Sequence, residues 1–198
     1  MKKNKKLKIS EFFRSYLSKL NNSINLISLE NLEQASKLIL NTIKKDKVIY
    51  VCGNGGSAAI SNHYVCDYLK FLRQKTNLKP KIVSLANNIE TLTAISNDLS
   101  YDQIFEYQAQ NMCSKGDLLI IISSSGNSKN IKKIINFSKK KKIKTIGFSG
   151  FDGGYLEKNA SISIHVPAMN YGVSEDSHHI LMHVLLQFII YESSYLKK

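Results

Sequence analysis

The sequence predicts an α/β fold in which a five-stranded parallel sheet lies between two layers of helices, with further helices ahead of it. Three observations support this. Five short apolar runs recur along the chain, at Val48–Cys52, Pro80–Leu85, Leu118–Ile122, Lys144–Phe148 and Ser161–Val166. Segments with apolar residues at three- and four-residue steps, the period of a helix, separate most of them. The runs are almost uninterrupted in apolar residues, as strands covered on both faces must be, and this points to a parallel arrangement.

At 198 residues and 43% apolar content, the chain suits one packed domain with a helical addition. Residues 1–46 are expected to form an N-terminal helical extension and 47–198 the sheet-bearing domain, together one structural unit. Phe12, Phe13, Tyr16, Leu17, Leu20, Ile24 and Ile27 predict an amphipathic helix over Ser10–Ser28. Leu32, Ala35, Leu38, Ile39, Leu40 and Ile43 predict a second, ended by Lys44, Lys45 and Asp46. Having no strand partner, these helices suit either contacts between subunits or packing on their own sheet.

The first strand runs into Gly53-Asn54-Gly55-Gly56-Ser57, and a helix is expected from Ser57, as its N-cap, to about Phe71. Amides at such a turn, with the positive end of the next helix and a hydroxyl, can seat an anion. Read alone, the loop is equally a plain strand-to-helix turn. It lacks the Gly-Lys-Ser/Thr ending of a Walker loop and the third glycine of a dinucleotide fingerprint, so a sugar phosphate suits it better than a nucleotide. After the second strand, Asn87-Asn88 and Asn97-Asp98 mark loops around a short helix carrying Leu92 and Ile95, and Tyr101–Met112 reads as another helix. The third strand, the most apolar, enters Ser123-Ser124-Ser125-Gly126-Asn127-Ser128, repeating the sequence of strand, polar glycine loop and helix. A helix over Asn130–Lys141 follows. Gly150, Gly153 and Gly154 read as a turn, and a long helix from about Val173 to Tyr195 ends the chain. Ligands on parallel sheets bind beyond the strand C-termini, where both polar loops fall.

Net charge is +13, much of it in Lys2, Lys3, Lys5, Lys6 and Lys8 and in Lys139–Lys142 with Lys144. No aromatic residues interleave these lysines and no nucleic-acid-binding motif accompanies them, so they read as solvated surface, not a nucleic-acid partner. Cys52, Cys66 and Cys113 are too few and too scattered for a disulfide framework or a CxxC metal site, and a reducing, cytoplasmic location is expected. No stretch is apolar and long enough to span a membrane as a helix.

His63 and Asp67 stand four residues apart on one helix face, a spacing that serves a metal or an ordinary surface pair. Glu175, His179 and His183 form an i, i+4, i+8 stripe with His178 beside it. Four of five histidines thus fall on two helices, with carboxylates among them, a donor set suited to zinc or a similar divalent ion.

Taken together, Cys52–Ala59, His63, Asn97-Asp98, Ser123–Ser128, Gly150–Gly154 and Glu175–His183 resemble the phosphoheptose isomerases of the SIS (sugar isomerase) family over nearly the whole chain. The resemblance implies a flavodoxin-like SIS fold, a three-layer sandwich. It also implies a cytoplasmic homotetramer interconverting sedoheptulose 7-phosphate and D-glycero-D-manno-heptose 7-phosphate, to supply heptose for lipopolysaccharide, capsule or related glycans. Carried over by position, it places phosphate on Ser57, Ser123, Ser124, Ser125 and Ser128, and sugar against Asn54, Gly55, Gly56, Asn97, Asp98 and Glu175. It implies one zinc or other divalent ion per subunit at His63, Asp67, Glu175 and His183, with Asp67 and His183 as the acid/base pair. Two positions depart from the family pattern: Asp67 stands in place of glutamate, and Glu175 in place of glutamine. The shorter Asp67 also fits a noncatalytic phosphosugar-binding or regulatory member, and another ketose phosphate is a further possible substrate.

Overall fold

A computed structural model describes residues 7–195. Lys2, Lys3, Lys5 and Lys6 lie outside the described residues. The five strands are β1 (Val48–Gly53), β2 (Lys81–Ser84), β3 (Leu118–Ser123), β4 (Lys144–Ser149) and β5 (Ile162–His165). They form one parallel sheet in the order β2-β1-β3-β4-β5. The helices are α1 (Ile9–Ile24), α2 (Leu29–Lys44), α3 (Gly56–Cys66), α4 (Arg73–Lys75), α5 (Ile89–Asp98), α6 (Glu106–Met112), α7 (Lys129–Lys141), α8 (Gly154–Asn159) and α9 (Tyr171–Tyr195).

Alternation along the strands divides the core in two. Ile49 and Val51 of β1 and Leu118, Ile120 and Ile122 of β3 face a cluster shared with Ile39 of α2, Tyr64 of α3 and Leu181, Leu185 and Ile189 of α9. Tyr50, Cys52, Leu119 and Ile121 face the opposite cluster, built with Ile95, Phe105, Ala109, Ile131, Ile134 and Leu156. Each fully buried aliphatic side chain contributes about 1.5–3 kcal/mol, so the continuous apolar character of β3 is the anchor of both layers. The N-terminal helices join the first layer: Tyr16 and Leu20 of α1 and Ala35 and Ile39 of α2 pack into it.

Several local expectations differ from the observed backbone. Gly55, at φ 54°, is the N-cap of α3, and Ser57 is already inside the helix. The positive φ favours glycine there. After Cys66 the helix widens into a π-helical segment, Asp67–Leu72, before finishing as α4. Asn97 and Asp98, expected in a loop, end α5. Tyr101–Met112 is a 3-10 turn followed by α6, not one helix. Gly154 opens α8 where only a turn was expected, and Leu156 buries its single large anchor.

The sheet order sends the chain from β1 outward to β2 and then back past β1 to β3. The crevice at the C-terminal ends of β1 and β3 is therefore the switch point at which such sheets bind ligands.

Candidate active site

Three helix N-termini converge on that crevice. Ser57 near the start of α3, Ser123, Ser124 and Ser125 of the loop after β3, Ser128 at the N-cap of α7, and Tyr171 and Glu175 of α9 line a cleft of about 120 Å³ together with Asn54. The hydroxyl of Ser124 is buried without a hydrogen-bond partner, and Ser128 makes no side-chain cap bond to its own helix. A partnerless serine hydroxyl and the positive ends of the converging helices together suit an anion such as phosphate.

The loops around the cleft are tightly fixed. Gly53 sits where a Cβ would lie 2.8 Å from the carbonyl oxygen of Ile122. Gly126 has φ +63° and nearly touches the carbonyl of Gly153, while Gly150 N–H donates to the Ser124 carbonyl at 2.8 Å. Asn54 is held by a small network that the sequence did not disclose. Tyr101 Oη and Asn130 Nδ2 each donate to Asn54 Oδ1 at 2.9 Å, and Asn54 Nδ2 donates to Asn130 Oδ1 at 3.0 Å. A second cleft, about 260 Å³, meets the first at Asn54 and is lined by Gly53, Gly55, Thr93, Ser96 and Tyr101 among others. Asn97 and Asp98 lie just beyond Ser96, where Asn97 Nδ2 donates to Asp98 Oδ1 at 2.9 Å. From α5, it is Ile89, Leu92, Thr93 and Ser96 that line this cleft.

Further along α3 and α9 lies the second polar group. His63 Nδ1 is 2.6 Å from His179 Nε2, and His63 Nε2 is 3.3 Å from Asp67 Oδ1. The other oxygen, Asp67 Oδ2, is 3.3 Å from His183 Nε2. The pattern is satisfied when His63 carries its proton on Nε2, toward Asp67, and accepts from His179 through Nδ1. Burial, followed by the neighbouring His63 and His183, lowers the His179 pKa below its usual value. His63, His179 and His183 bring one ligand atom each within 4.8 Å of one another.

Glu175 was expected beside the metal as well as beside the sugar. Its carboxylate lies against Gly56 at the head of α3, where a Cβ would lie 2.3 Å from Oε2. That position is on the serine side of the crevice. The three-imidazole group contains His179 and does not include Glu175. Contacts of Gly56 with Glu175 and of His63 with His179 and His183 show α3 and α9 running side by side in the same direction.

His178 points the other way and is fully buried with neither ring nitrogen in a hydrogen bond of normal geometry. Burial pushes its pKa down to about 4, opposed by the nearby Ser149 backbone.

The SIS domain family matches residues 11–150 of the chain. The chain belongs to the SIS domain family. Its similarity to phosphoheptose isomerases extends further along the sequence. The enzyme of that name from Aliarcobacter butzleri (strain RM4018) is 37% identical over 166 residues, covering 84% of this chain and 87% of the relative. Phosphoheptose isomerase GmhA from Neisseria gonorrhoeae superposes with a TM-score of 0.82 at 27% identity, covering 91% of this chain and 97% of that one. A phosphoheptose isomerase from Francisella tularensis gives 0.84 at 26% identity, covering 92% and 96%. This SIS domain protein thus shares the five-stranded fold of those structures.

Proposed function

We propose that this SIS domain protein is a sugar-phosphate aldose-ketose isomerase that interconverts sedoheptulose 7-phosphate and D-glycero-D-manno-heptose 7-phosphate in heptose synthesis. The observation that carries this reading is the Asp67 carboxylate, held 3.3 Å from both His63 and His183, further along the chain of α3 than the serine seat. Relatives at 37% and 34% identity bear the name phosphoheptose isomerase, which supplies the substrate class.

Ser57, Ser123, Ser124, Ser125 and Ser128 seat the phosphate, with the helix N-termini completing its partners. Asn54, Gly55 and Gly56 line the sugar, and Asn97 and Asp98 close the end beyond Ser96. Anchoring the phosphate makes the proton transfers effectively intramolecular. Asp67 takes the proton from the carbon next to the carbonyl, and His183 exchanges a proton with the oxygen as the enediol(ate) forms and collapses. His63, hydrogen-bonded on both sides, holds the Asp67 carboxylate in position.

Imidazoles gathered beside a carboxylate fit a divalent ion, with zinc the natural candidate at one per subunit. His63 and His183, with Asp67 beside them, would hold it. When bound, such an ion polarises the substrate's oxygen and stabilises the charge that develops there.

Assembly into a homotetramer is supported by a stripe on α9, where Ile180, Val184 and Phe188 are each more than one-third exposed at four-residue spacing, beside exposed Leu29 of α2. Three unpaired cysteines support a reducing, cytoplasmic setting. Among the described residues no helix is long and apolar enough to cross a membrane.

The direct test is incubation with sedoheptulose 7-phosphate and Zn²⁺, with the aldose product followed by NMR. Formation of the aldose supports the reading. Binding of the sugar phosphate without turnover, across divalent metals and pH, rejects it.

A further inference from the structure

Two features of the α3–α9 contact separate a metal rung from an anion rung. Along α3, Gly56 and His63 are seven residues apart, roughly 10 Å of helix. Glu175 meets α3 at Gly56, and His179 meets it at His63. On α9, His179 and His183 are an i, i+4 pair, one turn apart on the same face, with stacked rings whose centroids are 4.9 Å apart. A metal can bridge such a pair without unusual reach. Glu175 and His183 are two turns apart, about 12 Å along the axis, so joining them at one ion asks both side chains to converge.

Coordination distances agree with this division. Nitrogens bound about 2.0–2.1 Å from a tetrahedral ion stand about 3.4 Å apart. The present 2.6 Å contact between His63 Nδ1 and His179 Nε2 needs to open by less than about 1 Å to reach that spacing. His63, His179 and His183 are all part-exposed, so small rotations do not disrupt the core. Asp67 meets His63 at Nε2, the ring nitrogen opposite the Nδ1 that faces His179, and so orients His63 from outside the three-imidazole group.

We propose that His179, rather than Glu175, supplies the third protein ligand beside His63 and His183, leaving Glu175 to act on the anion side of the cleft. The assignment rests on reading the crevice as a metal-assisted isomerase site, and it concerns which residues hold the ion.

The test titrates metal-free protein with Co²⁺, followed by calorimetry and by the visible absorption of the bound ion, for wild type, His63→Ala, His179→Ala, His179→Gln and Glu175→Gln. Losing a ligand costs at least the roughly tenfold in affinity that losing a ligand's supporting partner does. Both His179 variants, like His63→Ala, are therefore expected to weaken Co²⁺ binding at least about tenfold and to alter its spectrum. Glu175→Gln is expected to leave both little changed. Having two His179 variants of different volume, each checked by metal-free thermal unfolding, guards against a folding defect. Weakening by Glu175→Gln equal to or greater than that by the His179 variants overturns the assignment, as does unchanged binding in the His179 variants. Wild type that takes up no ion overturns it together with the metal part of the functional reading. Wild type that binds Co²⁺ through His179 but never turns over the heptose phosphate sinks the isomerase reading alone.

Discussion

Asp67 Oδ2 and His183 Nε2 lie 3.3 Å apart although 116 residues separate them, and the other carboxylate oxygen is equally close to His63. A carboxylate bracketed by two imidazoles is ordered, and its side chain keeps 20% of its surface exposed. Replacing it with the isosteric amide removes the base and keeps the shape. Asp67→Asn is expected to lower kcat by about 10²–10⁴-fold with a smaller change in KM, as measured by steady-state isomerisation. An amide variant that keeps most of its kcat would remove Asp67 from the proton transfer.

Glu175 places a negative charge in the serine cleft. A phosphate entering there meets that charge as well as the hydroxyls and helix termini. Glu175→Gln is expected to lower KM for the sugar phosphate several-fold and to tighten competitive inhibition by inorganic phosphate. The difference should shrink as salt is raised, because screening weakens the repulsion being removed.

Gly126 combines a positive φ of 63° with a near-contact to the Gly153 carbonyl. A Cβ has no room there, and the obstacle is backbone instead of a flexible side-chain tip. Gly126→Ala is expected to destabilise the fold by about 1–3 kcal/mol and to weaken phosphate binding, since the serine loop must shift. Denaturant unfolding and phosphate titration together check this.

Burial of His178 lowers its pKa to about 4, whereas in the unfolded chain it titrates near its ordinary value of 6.5. The unfolded state therefore binds more protons between these values, and stability falls as pH drops through that window. Its full contribution is present above 6.5. The loss by pH 4 is on the order of 3 kcal/mol. His178→Leu removes the titrating ring at little cost, because neither nitrogen has a hydrogen bond of normal geometry to lose. The slope of stability against pH between 6.5 and 4 should flatten in that variant; an unaltered slope would assign it to other groups.

Phe188 is part of the exposed apolar stripe on α9. If that stripe is the seam of the tetramer, Phe188→Glu buries an unpaired charge there and lowers the assembled mass seen by sedimentation. Unchanged mass would place the seam elsewhere.

The strands were legible in the sequence because uninterrupted runs such as Leu118–Ile122 have few ways to be buried, and the alternation at Ile49 and Tyr50 then assigns side chains to layers. The two loops were legible because glycine and serine cluster directly after those runs. Less could be read where local signals were ambiguous. The segment Asp67–Leu72 continues a helical pattern, and nothing in its composition distinguishes a π turn from an α turn. Gly153-Gly154 masked α8, whose hold on the core depends on Leu156. The stripe of Glu175, His179 and His183 was visible, but which rung of α3 each residue meets depends on how two helices far apart in the sequence, Gly56–Cys66 and Tyr171–Tyr195, are set against one another. Tyr101 and Asn130 carried no signal at all, since their importance lies in both converging on one oxygen of Asn54.

The parallel course of α3 and α9 makes the crevice a gauge. A phosphate seated by the serines fixes one end of a substrate, and His63, against which the Asp67 carboxylate is held, lies two helical turns along α3, on the order of 10 Å. An extended carbon chain advances little more than about 1.3 Å per bond, given C–C lengths near 1.5 Å. A three- or four-carbon sugar phosphate anchored at the serines stops short of Asp67, whereas a seven-carbon one can set its carbonyl end against it. Chain length is then screened by spacing along the helices, before any hydroxyl of the sugar is inspected.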